Sequence, residues 1–153
     1  MCSRCQTCRK TSPADVCEHE ESPPSLIHLN RSAVAGTETC LDTAAAVAAL
    51  RRAKTAGSSV RQRPLYRRGP IHMDVLVFEP NAHTDEDQVA HGLVSLHLLD
   101  GAMTVTTRDQ VHHLTAGAVL ALAPCVPFRL AAGDADSALL LTVHQERFHD
   151  TGL

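Results

Sequence analysis

Three groups of residues in this chain have types and spacings suited to chemistry. The first is Cys2, Cys5 and Cys8, a C-x2-C-x2-C run followed by Cys17 and His19. Thiolates two residues apart can grip one tetrahedral ion in a tight turn, and Cys17 or His19 would complete a zinc set. An iron–sulfur cluster fits less well, because the eight residues between Cys8 and Cys17 exceed the spacing of the compact ferredoxin run. The competing reading is an unstructured leader that happens to carry thiols. Residues 1–30 mix Pro, Ser and charge with few large apolar groups, which cannot offset the entropy of ordering unless a metal organises them.

The second group lies in the segment NAHTDEDQVAH, where His83, Asp85, Glu86, Asp87 and His91 crowd together. Imidazole mixed with carboxylate suits Fe, Mn or Zn. His83, His91 and either Asp85 or Asp87 would make a facial set with open positions. The plainer reading is a solvated acidic loop, since Asp and Glu are rarely buried unless paired. The third group is the remaining histidines, part of a total of 10. Period-2 alternation sends Val94, Leu96 and Leu98 to one face of their strand and Leu93, Ser95, His97 and Leu99 to the other. His112 and His113 must face opposite ways, and His72 and His144 could lie side by side on neighbouring strands. None receives a catalytic role. Cys40 and Cys125 read as small buried hydrophobes. Arg61, Arg63, Arg67 and Arg68 read as a solvated face that balances the acidic loop.

The elements that must position these groups change character along the chain. Residues 1–40 are leader and linker. Residues 41–56, LDTAAAVAALRRAKTA, form a helix by alanine content, capped by Asp42, closed by Gly57, with Arg51, Arg52 and Lys54 at its negative end. Its apolar stripe is Leu41, Ala44, Val47, Ala48 and Leu50. From residue 65 the period drops to 2, and strands are expected at Ile71–Phe78, Leu93–Leu99, Met103–Arg108, Gln110–Leu114, Ala118–Leu122, Pro127–Ala131 and Ala138–His144. Turns such as Asp100-Gly101 and Ala116-Gly117 separate them, with no intervening helix. That pattern is all-β, a single barrel or sandwich over residues 65–146.

The run from Leu98-Leu99-Asp100-Gly101 through Gly117-Ala118-Val119-Leu120-Ala121-Leu122-Ala123-Pro124 to Phe128 resembles the small single-domain bacterial cupins that carry a short helical N-terminal extension. The resemblance covers roughly Leu65 to Val143 and implies a jelly-roll β-barrel with a mouth at one end. It also implies where a metal would sit. Counted back from Gly101, the two histidines and the glutamate of such proteins fall at Gln88, Ala90 and Val94; counted forward from Gly117, the last histidine falls at Phe128. All four are replaced, so no cofactor is expected in the barrel, and any zinc belongs to the leader cysteines.

Composition narrows the function classes. Among 153 residues, Lys+Arg 14 against Asp+Glu 17 offers no basic excess for nucleic acid, and aromatics at 3% with no Trp leave few stacking platforms for bases. No apolar run is long enough to span a bilayer, and the start lacks a secretory core, so a cytoplasmic protein is expected. Three functions stay open. The first is a binding or regulatory module whose interior, bounded by Gln88, Val94, Leu96, Leu98, Cys125 and Phe128, holds a small apolar ligand or is packed shut. The second is a metal-dependent oxygenase or isomerase using the displaced ligands His83, Asp85 and His91. The third is a zinc- or redox-responsive protein working through Cys2, Cys5, Cys8 and Cys17. A sheet face bearing Leu93 and Leu99 favours a homodimer.

Overall fold

The computed structural model describes residues 39–53 and 57–145. Helix α1 spans Thr43–Arg52, and the Asp42 carboxylate accepts the Ala45 N–H at 2.8 Å, as the capping pattern requires. The helix stops earlier than expected. Ala53 turns to extended backbone (φ −71, ψ 99), so it is not Gly57 that closes α1. Its buried residues are Ala46, Val47 and Leu50, while Ala44 and Ala48 of the anticipated stripe stay exposed.

Eight strands follow: β1 Val60–Arg68, β2 Ile71–Phe78, β3 Leu93–Asp100, β4 Ala102–Thr107, β5 Val111–Thr115, β6 Val119–Leu122, β7 Phe128–Ala132 and β8 Ser137–His144. They form two antiparallel sheets, ordered β1-β2-β8-β3-β6 and β5-β4-β7. Seven of the eight match sequence expectations within a residue or so. The eighth, β1, lies where the sequence reads as a basic connector. It is an edge strand, which tolerates charge and a proline, and the irregularity between Pro64 and Tyr66 sits where Pro64 has no N–H to give the ladder. The segment 82–90 adds an irregular border to the smaller sheet. Ala132 N–H donates to Ala82 O, Thr84 N–H to Leu130 O, and Gln88 and Phe128 exchange both backbone bonds.

One core fills the space between the sheets, with Leu76, Phe78, Val94, Leu96, Leu98, Val105, Phe128, Leu130, Leu139 and Leu141 nearly inaccessible. A second, smaller core lies on the outer face of the large sheet, where Ala46, Val47 and Leu50 of α1 cover Val75, Val77 and Ala138. Leu99 packs against this second core, so it is separated from Leu93, which remains 44% exposed. The two ends of the anticipated Leu93–Leu99 face therefore differ in exposure, because α1 packs in part against Leu99. Arg61 joins helix to sheet: its guanidinium donates to Ala53 O at 2.8 Å and lies 3.6 Å from Glu79. Two glycines are required by space. Gly101 adopts φ +83 in the β3–β4 hairpin, and a Cβ on Gly92 would lie 2.1 Å from the His144 carbonyl oxygen.

Candidate functional site

Strand register places the inner end of the large sheet residue by residue. Arg67 lies opposite His72, His72 opposite Val143, Val143 opposite Val94, and Val94 opposite Leu122. Directly paired residues share a face, so this row points between the sheets. The four positions where the resemblance implies ligands gather here. Gln88 bridges Phe128, the Ala90 carbonyl accepts the Cys125 N–H at 2.8 Å, and Val94 belongs to the same apolar cluster as Phe128. Val94 is 2% exposed, Phe128 1% and Gln88 4%.

These side chains do not suit the metal that the fold family implies. Valine, alanine and phenylalanine carry no donor atom, and the Gln88 amide donates to Glu86 O at 3.1 Å. Among the described residues no cluster of three or more His, Cys, Asp or Glu is placed to hold an ion. The displaced set is not assembled either. His83 Nε2 lies 3.7 Å from Asp85 Oδ1 with both side chains largely in solvent, and His91 turns to the Cys125 thiol, 3.8 Å from its Nδ1. The reason is the extended course of segment 82–90: His83 bridges Ala131 of β7 while Ala90 meets Cys125, beyond the other end of that strand. Asp87 is held by Arg129 at 2.5 Å, so the acidic loop is balanced from β7 rather than from the basic run in β1.

The residues expected to line a pocket are brought together, but as packing. Leu96 and Leu98 are wholly buried beside Val94 and Phe128, and only Cys125 is partly accessible, at a turn where it holds φ +63. The zinc candidates Cys2, Cys5, Cys8 and Cys17 lie outside the described residues. His97 lies on the outer face with Leu140 and Val119, as alternation predicts. His113 meets the Thr104 hydroxyl at 3.2 Å, and His112 pairs with the buried Val105 on the opposite face. His72 and His144 do sit on adjacent strands, yet they do not pair: His72 is in register with buried Val143, whereas His144 is in register with exposed Ile71 and Leu93.

Sequence reasoning missed the polar feature of this end. Arg67 and Asp74 form a buried ion pair at 2.5 Å, with side chains 4% and 1% exposed. Asp74 also accepts from Gln62 Nε2 at 3.1 Å, and Arg67 Nη1 donates to the carbonyls of Tyr66 and Met73. Burial pushes the Asp74 carboxyl above its ordinary value despite the opposing pull of Arg67. His72 is shifted the other way, downward, first by burial and then by the Arg67 charge; its Nδ1 is buried with no hydrogen-bond partner. A signal was present: Asp74 stands at an inward position within IHMDVLVF, and a buried carboxylate demands a cation from its hairpin partner. The Arg67–Asp74 pair itself holds no nucleophile; the thiol–imidazole contact at this end is that of Cys125 with His91, at 3.8 Å. Arg67 and Asp74 turn polar atoms to each other, to the Gln62 amide and to the backbone.

No protein-family model and no curated protein matches the sequence. Solved structures do match in fold. A cupin superfamily protein from Desulfitobacterium hafniense DCB-2 superposes with a TM-score of 0.53 at 17% identity, covering 61% of this chain and 84% of that one. KdgF from Halomonas sp. gives 0.55 at 13% identity, over 62% and 86% of the two chains. The cupin domain of an XRE family transcriptional regulator from Enterobacter cloacae gives 0.54 at 11%, over 59% of this chain and all of the domain. The chain thus has a small cupin-like, jelly-roll β fold with α1 packed on its outer face. No helix among the described residues is long and apolar enough to cross a membrane.

Proposed function

We propose that this chain is a non-catalytic cupin-like module, regulatory or ligand-binding, whose β domain carries no metal. The observation that supports this reading most strongly is the filling of the site by Val94 and Phe128, both nearly inaccessible and packed in one cluster. Replacing donor atoms with hydrocarbon removes both the affinity for an ion and the space for its water. Fold likeness alone does not choose a function. It is compatible with regulation, since one of the similar structures is the cupin domain of a transcriptional regulator.

In this reading any zinc is held by Cys2, Cys5, Cys8 and Cys17, apart from the β domain. Metal analysis of the full chain beside a variant with these four cysteines changed to serine tests it. Bound zinc that disappears in the variant, or no metal in either protein, supports the module. Iron, manganese or zinc that survives the cysteine changes and is lost in His83→Ala/His91→Ala would establish the displaced enzyme site instead.

A further inference from the structure

A groove of about 570 Å³ runs along the flank of α1 where the helix stands off the β3–β4 end of the large sheet. Its size falls within the roughly 300–1,000 Å³ of small-molecule sites. The groove exists because the helix presents alanine there. Val47 and Leu50 anchor α1 to the sheet, while Ala44 and Ala48, one turn apart, offer only methyl groups opposite Leu99 and Ala138. At the C-terminal end of the flank the walls become charged with Arg51, Arg52 and Asp100.

We propose that this groove binds a small amphipathic carboxylate, its apolar body against Ala44, Ala48 and Leu99 and its anionic head on Arg52 and Arg51. Charge complementarity selects this occupant. Two guanidinium groups against one carboxylate leave the rim with one excess positive charge. Arg51 bonds Asp100 at 2.6 Å, but the two side chains are 35% and 58% exposed, so the pair is weak and can be shared with an incoming anion. A planar guanidinium meets a carboxylate through paired N–H donors, which a cationic or neutral head cannot exploit. The inference deepens the proposed function, resting on its closed interior: with the space between the sheets filled, a small ligand is read on the outside.

The test is an amide-resolved NMR titration of the isotope-labelled full chain with decanoate, and separately with decyltrimethylammonium. Decanoate should give saturable shifts at Ala44, Ala48, Leu99 and Asp100, and the cation should give none. Arg52→Glu should weaken decanoate about tenfold or more, the scale of a lost charge-assisted contact. Ala48→Leu, at an exposed helical position, should do the same by filling the groove, with Ala44→Met as the substitute if it folds poorly. No saturable shift up to about 1 mM, the weak end of specific recognition, overturns the groove and leaves the closed interior standing. Equal binding of both amphiphiles, or indifference to both substitutions, also overturns it. Shifts centred on Val94, Leu96 and Phe128 would overturn the groove and the closed interior together.

Discussion

Two arginine–aspartate pairs of nearly equal length, in different regions of the molecule, show how far surroundings outweigh geometry. Arg67–Asp74 spans 2.5 Å inside the sandwich and Arg51–Asp100 spans 2.6 Å beside α1. The first has almost no solvent access, and every polar atom named for it is turned to protein. The second is exposed by about a third on Arg51 and by more than half on Asp100. Their aspartates shift in opposite directions: burial raises Asp74, whereas the Arg51 hydrogen bond lowers Asp100. The buried pair ties β1 to β2 away from water, and the exposed one is open to solvent on both side chains. That contrast is why the inner end reads as structure and the groove as a site.

The largest effect should come from separating the buried pair. Asp74→Ala strands the Arg67 charge and should cost about 3–5 kcal/mol in urea unfolding, whereas Arg67→Met/Asp74→Leu together should recover most of that loss. If the double variant is as unstable as the single one, the pair itself contributes net stability and the comparison needs redrawing.

An intermediate effect concerns pH. The folded-state pKa of His72 is depressed, so its contribution to stability is present above the free-histidine value and lost as pH falls through the folded one. Between about pH 7.5 and pH 5, on either side of the ~6.5 of free histidine, the native chain should lose more stability than His72→Gln does. Equal slopes would mean that His72 is not the group that resists protonation.

The smallest effect belongs to the exposed pair. Asp100→Ala should change unfolding free energy by no more than about 1 kcal/mol. A loss approaching that of Asp74→Ala would show that exposure does not separate the two pairs.

Much of the fold was legible because it rests on local periodicity. Ile71–Phe78 was bounded to the residue, and alternation within LVSLHLLD correctly set Val94, Leu96 and Leu98 inward and His97 outward. The residues counted from the glycine and proline spacing, Gln88, Ala90, Val94 and Phe128, do gather at one end of the fold, since that spacing fixes where strands begin and turn. Strand β1 was missed because its inward residues, Val60, Gln62 and Arg67, do not alternate as apolar and polar; the irregularity after Pro64 resets their phase. His83 and His91 looked close in sequence, but an extended segment carries its ends apart. The groove had no local signal at all, because it depends on which flank of an alanine-rich helix meets the sheet.

From the residues alone came the class of fold, the inward and outward faces of the strand LVSLHLLD, and the residue types at the positions where the resemblance expects ligands. These are properties of spacing and side-chain chemistry, which no packing can alter. Only the tertiary structure decided that Arg67 turns inward onto Asp74, that Leu99 is partly buried beside α1 while Leu93 is exposed, and that α1 leaves a charged-rimmed groove. Each depends on contacts between residues far apart in the chain, where a one-residue irregularity or the angle of one helix changes which side chains meet.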